Sequence, residues 1–168
     1  MPGCGKSTLG KKLAKYLNWD FADLDHLIEQ QEKKNISDIF ALDGESYFRE
    51  IEKRILFETE RSEQIVIACG GGTPIYENNM IWMNNHGITI YLNAPIPLLM
   101  SRIFDSKTSR PLFKTLNKEE LEKNICDLYY KRSPVFAQAK ASFLLPVKSY
   151  KSLYIQVLEL IKSENISV

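Results

Sequence analysis

The 168-residue sequence lacks any apolar run close to the roughly 18 residues that a membrane-spanning helix needs. It also lacks an apolar signal-peptide core, because a glycine-rich segment with a lysine follows Met1 directly. Neither sign of charge predominates, since the formal net charge is +1. The composition therefore gives no reason to expect nucleic acid or a membrane as a partner, and we expect a cytoplasmic protein.

Cysteines are few, and Cys4, Cys69 and Cys126 are far apart in the sequence. Their odd number and their spacing match neither a disulfide framework nor a zinc site. The sequence is 44% hydrophobic and 26% charged, which is ordinary for a globular protein. No repeat, linker or low-complexity segment divides the chain, so we expect one domain over residues 1–168.

Hydrophobic periodicity predicts an alternation of strands and helices. Strands are predicted at residues 19–23, 64–68, 88–92 and 142–147. Helices are predicted at residues 7–17, 24–33, 36–42, 45–61, 78–85, 97–103, 118–139 and 149–163. The helix at 118–139 is expected to bend or break at Pro134, which has no backbone N–H to donate. This alternation predicts an α/β fold with a parallel sheet.

A short glycine-rich segment leads directly into the first predicted helix. It consists of Gly3, Cys4, Gly5, Lys6, Ser7 and Thr8, the end of the phosphate-binding pattern G-x-x-x-x-G-K-[ST]. Glycines let the backbone N–H groups point at phosphate oxygens, and the helix start adds positive partial charge. We expect the segment to bind a nucleotide, with Lys6 at the β- and γ-phosphates of ATP and the Ser7 hydroxyl on Mg²⁺.

The phosphate-binding pattern is incomplete, because its first glycine would lie one position before Met1. The strand that leads into such a loop is also missing, and in this class of fold that strand lies in the middle of the sheet. We therefore expect the native chain to start roughly ten residues upstream, since a loop without its entering strand frays. The 168-residue chain is expected to have a gap in the middle of its sheet and to be poorly stable or inactive.

An ordered set of further motifs resembles the shikimate kinase family. The set is Asp23-Leu24-Asp25, Gly44-Glu45-x-x-Phe48-Arg49-x-x-Glu52, Gly70-Gly71-Gly72, Arg110-Pro111-Leu112 and Lys131-Arg132-Ser133-Pro134. Each motif alone is weak evidence, but five in this order are specific, and they cover the whole chain except the missing strand. The resemblance implies a three-layer P-loop α/β kinase of the nucleoside-monophosphate-kinase type. Its strand order would be 2-3-1-4-5, with strand 1 absent here.

The same resemblance implies an activity. ATP would phosphorylate the 3-hydroxyl of shikimate, giving shikimate 3-phosphate and ADP, a step toward chorismate and the aromatic amino acids. Mg²⁺ would accompany ATP, and the partners would be these small molecules alone, with the chain expected to be a monomer.

Two carboxylates, Asp23 and Asp25, lie at the C-terminal end of a predicted strand, where open α/β sheets bind ligands. Such a pair can hold Mg²⁺ through water and can orient or deprotonate a hydroxyl. By the resemblance, Asp23 would take the metal side, and Asp25 would contact the substrate hydroxyl as the base. The alternative is a helix N-cap, a role that Asp25 could combine with the other.

Three arginines receive roles from the resemblance. Arg49 and Arg132 would bind the substrate carboxylate, for which the planar guanidinium fork is suited. On its own, Arg49 would be interpreted as a solvated helix residue paired with Glu52 at i+3. Arg110 lies in a polar segment at about residues 104–117 that resembles a lid, and it would place positive charge against the transferring phosphoryl group.

Three consecutive glycines, Gly70, Gly71 and Gly72, follow a predicted buried strand. Glycines there let a ligand approach the backbone and offer N–H donors, so substrate binding is favoured over a plain flexible turn. The rest of the substrate-binding region is expected within residues 24–61.

Two alternative functions stay open at this point. One is a related metabolite kinase such as a gluconate kinase. The two arginines and the glycine run argue against it, because they favour a rigid cyclic carboxylate as substrate. The other is a truncated nucleotide-binding protein without activity, which the missing strand and the missing glycine favour.

Overall fold

The computed structural model describes residues 1–104, 117–147 and 149–164. Along these residues, four strands alternate with eight α-helices and two short 3₁₀ turns. The strands are β1 (Asp20–Asp23), β2 (Ile65–Ala68), β3 (Ile90–Asn93) and β4 (Ala141–Leu144). The helices are α1 (Lys6–Leu17), α2 (Leu24–Glu32), α3 (Ile36–Leu42), α4 (Gly44–Glu58), α5 (Asn79–His86), α6 (Ile96–Phe104), α7 (Lys118–Phe136) and α8 (Tyr150–Ser163). The 3₁₀ turns are Thr59–Arg61 and Thr73–Ile75.

Several predicted elements begin or end within a few residues of the observed bounds, and two differences have a clear physical reason. The prediction of a break at Pro134 is wrong, because α7 is one helix from Lys118 to Phe136 with Pro134 in its last turn. A proline so close to the end removes one N–H from a turn that few further residues continue. The last strand ends at Leu144 instead of residue 147, because Pro146 comes soon after it and cannot donate to a strand ladder.

The strands form two parallel pairs, β1 with β2 and β3 with β4. In the first pair Asp23 lies opposite Ala68, so both strands end at the same edge. This register brings the carboxylates at the end of β1 close to the glycines at the end of β2. In the described ranges no ladder joins β2 to β3, so the sheet has the gap expected from the sequence.

Helices cover the strands through three buried clusters, each centred on different helices. One cluster joins Leu9 and Leu13 of α1 to Leu153 and Val157 of α8, as the apolar spacing of α1 predicts. A second joins α2, α3 and α4 through residues that include Ile28, Ile39, Phe48 and Ile51. The third packs the phosphate-binding segment against α6 and α7 through residues that include Cys4, Leu99 and Ile125.

The start of α7 comes directly after the segment that the structure does not describe. Asn117 accepts a hydrogen bond from the Glu120 N–H, and the Glu120 side chain accepts one from the Asn117 N–H. This capping box satisfies two backbone donors that the helix would otherwise leave free, so it fixes where α7 begins. No helix in the described ranges is long and apolar enough to cross a membrane.

Candidate active site

The phosphate-binding segment curls around the N-terminus of α1. Gly3 and Gly5 have φ angles of 78° and 88°, a region that glycine adopts without strain. Gly5 is the N-cap of α1, and no side chain caps the helix or brings an acidic group into its first turn. The first N–H groups of α1 and the positive end of its dipole are therefore directed at the site, as phosphate binding requires.

Arg102 of α6 forms hydrogen bonds with the backbone of this segment. Its Nη1 atom donates to the carbonyl oxygens of Gly3 at 3.3 Å and Cys4 at 2.9 Å. Arg102 belongs to none of the motifs in the sequence. In the sequence, Arg102 is recognisable only as a basic residue in the last turn of the helix that leads toward the lid segment. Many helices carry a basic residue there, so this position does not indicate a function.

Lys6 lies between the two carboxylates at the end of β1. Its Nζ atom is 3.6 Å from an oxygen of Asp23 and 3.4 Å from an oxygen of Asp25. All three side chains are partly exposed, so they can exchange these contacts for contacts with a ligand. The structure thus brings together the predicted phosphate-binding lysine and both predicted carboxylates.

The residues predicted to bind metal lie in direct contact. The Ser7 hydroxyl donates to a carboxylate oxygen of Asp23 at 2.5 Å. A hydroxyl and a carboxylate are hard oxygen ligands of the kind that Mg²⁺ prefers, so the pair fits this ion. Within the described ranges, no three His, Cys, Asp or Glu side chains gather as a metal-binding group.

The N-cap of α2 is Asp23 rather than Asp25. Asp23 accepts a hydrogen bond from the Asp25 N–H at 3.2 Å, which fixes the turn from β1 into α2. The Asp25 side chain is 43% exposed and faces the glycine run, since a Cβ atom on Gly70 would lie 3.3 Å from its Oδ1. Asp25 is therefore free to act on a ligand in the open part of the site.

Arg49 is held by two glutamates on its own helix, α4. Its guanidinium donates to Glu52 at 2.7 Å and to Glu45 at 3.2 Å, and its Cζ lies 5.0 Å from the Phe48 ring centroid. The i+3 pair with Glu52 of the alternative interpretation is therefore present, but the arginine side chain is only 17% exposed and so is not solvated. A Cβ atom on Gly72 would lie 2.5 Å from Nη1 of Arg49, so a larger residue there would displace the guanidinium from its present position.

Arg132 of α7 lies near Arg49 across the glycine run. A Cβ atom on Gly71 would come within 2.9 Å of its Nη1. Burial, together with the nearby positive charge of Arg49, lowers the pKa of Arg132. Two guanidinium groups that repel each other in a partly buried place are stabilised by an anion between them. The arrangement therefore favours a carboxylate ligand at this point.

Glu52, expected from the sequence only as the i+3 partner of Arg49, is buried beside the site. Its side chain is 1% exposed, and it accepts hydrogen bonds from Arg49 and, at 2.5 Å, from the hydroxyl of Thr73. Burial raises the pKa of Glu52, while the bonds from Thr73 and Arg49 oppose that rise. The carbonyl of Thr73 in turn accepts from Asn79 at 2.9 Å, so a buried polar chain links α5 to the arginine.

Arg110 and residues 105–116 of the expected lid lie outside the described residues. The roles predicted for them therefore stay predictions. Of the remaining residues predicted to bind the nucleotide, Thr8 is exposed in the first turn of α1, and Cys4 is buried.

The parallel strands and the glycine-rich turn that opens α1 define a P-loop kinase. Comparison with known proteins narrows this class, because a family model described as shikimate kinase matches residues 2–162. A shikimate kinase from Azobacteroides pseudotrichonymphae is 44% identical over 144 residues, which is 85% of each chain.

Solved structures agree with that match. A shikimate kinase from Bacteroides thetaiotaomicron has a TM-score of 0.88 at 36% identity, over 95% of this chain and 93% of its own. One from Acinetobacter baumannii in complex with shikimate has a TM-score of 0.84 at 32% identity, over 99% of this chain and 92% of its own. The chain belongs to the shikimate kinase family. The family assignment supports a kinase and not the inactive alternative.

Proposed function

We propose that this chain transfers the γ-phosphate of ATP to the 3-hydroxyl of shikimate, giving shikimate 3-phosphate and ADP. The observation that carries the proposal is the pair of guanidinium groups beside the glycine run. Arg49 and Arg132 meet there at Gly72 and Gly71, while Gly70 adjoins the carboxylate of Asp25. A rigid ring with a carboxylate at one end and hydroxyls at the other matches this arrangement. The relative from Acinetobacter baumannii was solved with shikimate.

The carboxylate end of the substrate is assigned to the arginines. Arg49 is already oriented by Glu52, so little side-chain entropy is lost when a ligand binds it. Arg132 has no ion-pair partner among the described residues, which leaves its charge available. Backbone groups of the glycine run would complete the contact, because no Cβ atoms stand in the way.

The hydroxyl end of the substrate is assigned to Asp25. Its carboxylate would orient the 3-hydroxyl and accept its proton as the oxygen attacks the γ-phosphorus. Lys6, at 3.4 Å from Asp25 in the structure, would move to the phosphate oxygens when ATP binds. The first N–H groups of α1 would bind the same phosphates, and so the negative charge of the transferring group would be stabilised.

Mg²⁺ is proposed to be held by Ser7 directly and by Asp23 through water, on the strength of their shared hydrogen bond. A bound Mg²⁺ neutralises phosphate charge in reactions of this class. Arg110 is proposed to act from the lid, adding a positive charge as the phosphoryl group transfers. We also propose that residues 1–168 act as one domain and as a monomer, with residues 24–61 supplying most of the substrate site.

The site of phosphorylation tests this proposal. After incubation with ATP, Mg²⁺ and shikimate, ³¹P–¹H correlation NMR of the product should couple phosphorus to the proton at carbon 3. Coupling at another carbon would mean that Asp25 does not select the hydroxyl. The Arg49→Lys chain is the control for signal that does not depend on the substrate site.

A further inference from the structure

Three buried polar side chains form one hydrogen-bonded chain beside the candidate site. Glu52 of α4 is 1% exposed, Thr73 is 0% exposed and Asn79 of α5 is 1% exposed. The Thr73 hydroxyl donates to Oε1 of Glu52 at 2.5 Å, and the Thr73 carbonyl accepts from Asn79 at 2.9 Å. Burial makes polar groups costly unless they are paired, so each of these groups is firmly held by its neighbours.

The two oxygens of the Glu52 carboxylate have different partners. Oε2 accepts from the guanidinium of Arg49 at 2.7 Å, and Oε1 accepts from the hydroxyl of Thr73. The last torsion of a glutamate side chain is broad, so a carboxylate held at one oxygen can still turn. A second bond at the other oxygen stops that rotation. The hydroxyl of Thr73 therefore fixes the direction in which Glu52 accepts from Arg49.

The Thr73 hydroxyl also lies close to the glycine run and to a second carboxylate. A Cβ atom on Gly70 would lie 3.1 Å from Oε1 of Glu52 and 3.2 Å from Oγ1 of Thr73. The same atom would lie 3.3 Å from Oδ1 of Asp25. Burial and, less strongly, the charge of Asp25 raise the pKa of Glu52, whereas the hydrogen bond from Thr73 opposes that rise. The hydroxyl thus favours the charged form of Glu52, which is the form that holds Arg49.

Asn79 holds the turn that carries this hydroxyl. Thr73 begins the 3₁₀ turn Thr73–Ile75, and the side-chain amide of Asn79 donates to its carbonyl. Among the described residues, the side-chain oxygen of Asn79 is buried and has no hydrogen-bond partner. An unpaired buried acceptor is costly, so the placement of this amide is explained by its bond to Thr73.

Attachment of this segment to α4 does not depend on the Thr73 hydroxyl alone. The hydroxyl of Tyr76 donates to Glu50 of α4 at 2.5 Å. Lys53 of α4 pairs with Glu77, and both of these contacts are exposed. Loss of the hydroxyl should therefore leave the backbone of the segment in place and change only the hold on the Glu52 carboxylate.

We propose that Thr73 is a positioning residue for the substrate carboxylate, acting through Glu52 on the guanidinium of Arg49. The inference rests on the function proposed above, in which Arg49 binds the carboxylate of shikimate. That carboxylate takes no part in phosphoryl transfer, so its bond to Arg49 is made equally before and during the reaction. Loss of the Thr73 hydroxyl should therefore raise the KM for shikimate and leave kcat unchanged.

Replacement of Thr73 by valine, which has nearly the same shape without the hydroxyl, tests this proposal. We expect Thr73→Val to raise the KM for shikimate about tenfold, as the loss of a charged hydrogen bond would, with kcat and the KM for ATP unchanged. Thr73→Ser keeps the hydroxyl and should keep the KM of the unmodified chain. If Thr73→Val does not fold, Thr73→Ala takes its place, because it removes the hydroxyl without placing a methyl group against the carboxylate.

Thr89→Val is the matched control for loss of a buried hydroxyl. Thr89 is also buried, and its hydroxyl donates to Asn84 instead of to a residue of the site. This variant should be less stable than the unmodified chain but should have the same KM for shikimate. A rise in KM that both valine variants share would reflect general loosening of the fold.

A double-mutant cycle shows whether Thr73 acts through Glu52. In the Glu52→Gln chain, Thr73→Val should raise the KM for shikimate by less than about twofold further, because glutamine has already removed the charge that the hydroxyl holds. The methyl ester of shikimate is a second probe. It lacks the carboxylate charge, so its KM should not respond to Thr73→Val.

The guanidinium of Arg49 gives a readout that needs no substrate. A guanidinium held by fixed partners rotates slowly about its Nε–Cζ bond, so its two Nη atoms give separate ¹⁵N NMR signals. We expect separate signals in the unmodified chain and in Thr73→Ser, and one averaged signal in Thr73→Val, with Arg49→Lys identifying the resonances. If the unmodified chain fails to phosphorylate shikimate, the proposed function fails, and this measurement still decides the role of Thr73.

Several results would overturn the role assigned to Thr73. They are an unchanged KM for shikimate in Thr73→Val, an equal rise in the KM for ATP, and the same rise in Thr73→Ser or Thr89→Val. Full additivity with Glu52→Gln would show that Thr73 acts by another route. Separate Arg49 signals in Thr73→Val would show that the hydroxyl does not hold the guanidinium.

Discussion

The guanidinium of Arg49 donates a hydrogen bond to the carboxylate of Glu52 across 2.7 Å, and that carboxylate is 1% exposed. A second bond, from the Thr73 hydroxyl to the other carboxylate oxygen, fixes the plane of the acid. Two residues one helical turn apart on α4 therefore form a rigid pair, with the free face of the arginine turned toward Gly72. The substrate contact proposed for Arg49 would depend on this buried partner.

Replacing Glu52 by glutamine should weaken substrate binding through Arg49. Glutamine keeps the size and one acceptor but loses the charge that orients the guanidinium. Charged hydrogen bonds contribute about 1.5–3 kcal/mol, so we expect the KM for shikimate to rise about tenfold or more, with the KM for ATP unchanged. Steady-state kinetics with each substrate varied in turn measures this. An equal rise in both values would show general damage to the fold instead.

The same carboxylate should give the chain a pH-dependent stability. Its pKa is raised above 4.5, mainly by burial, so between 4.5 and the raised value the folded chain binds more protons than the unfolded chain. The free energy of unfolding should therefore fall as pH rises through this window. Urea unfolding at a series of pH values measures the slope. The Glu52→Gln chain should lack this contribution, and an identical slope in both chains would contradict the assignment.

Asp25→Asn should nearly abolish turnover and leave ATP binding close to intact. The amide cannot accept the hydroxyl proton, and general-base roles of this kind contribute about 10²–10⁴-fold to rate. The measurement is kcat together with calorimetric binding of ATP and Mg²⁺. Asp38→Asn, on α3 and away from Lys6, is the matched control. Retention of most of the kcat by the Asp25 variant would remove this residue from the chemistry.

Arg49→Lys should behave as a severe change although the charge is kept. Lysine loses the planar fork that binds a carboxylate through two hydrogen bonds. The KM for shikimate should rise strongly while the KM for ATP moves little. Arg54→Lys on the same helix is the control, since that side chain is 55% exposed and lies outside the site. If both variants behave alike, Arg49 does not bind the substrate carboxylate.

Arg102→Gln should weaken binding of ATP and leave binding of shikimate unchanged. Arg102 donates to the carbonyl oxygens of Gly3 and Cys4, so its loss frees the phosphate-binding segment. We expect about tenfold weaker ATP binding, in line with the loss of a charged hydrogen bond. Calorimetry with ATP and with shikimate separates the two effects. Weaker shikimate binding with normal ATP binding would contradict this role.

Much of the candidate site can be predicted from local sequence, because a phosphate-binding turn and a ligand-binding strand end need glycines and carboxylates at particular positions. The glycines at 3, 5 and 70–72 and the carboxylates at the end of β1 belong to this group, and their positions relative to strands and helices were predictable from spacing alone. The poor stability or inactivity expected of the 168-residue chain stays a prediction.

Other features depend on contacts between distant parts of the chain, so the sequence alone could not show them. Glu52 has the helical spacing of an exposed partner for Arg49, but in the fold it is buried and hydrogen-bonded to Thr73. Arg102 contacts a segment almost one hundred positions away in sequence. The break predicted at Pro134 is wrong for a different reason, because the proline ring lies in the last turn of α7 and does not interrupt the helix.

The central claim is that the chain phosphorylates shikimate. It is tested most directly by measuring ADP release in a coupled assay, once with shikimate and once with gluconate. The assay should be run on chain that binds ATP and Mg²⁺ by calorimetry, so that a damaged nucleotide site is recognised beforehand. The account predicts ADP release that requires shikimate, that gluconate does not replace, and that Asp25→Asn removes. Chain that binds ATP but releases no more ADP with shikimate than without it would contradict the account.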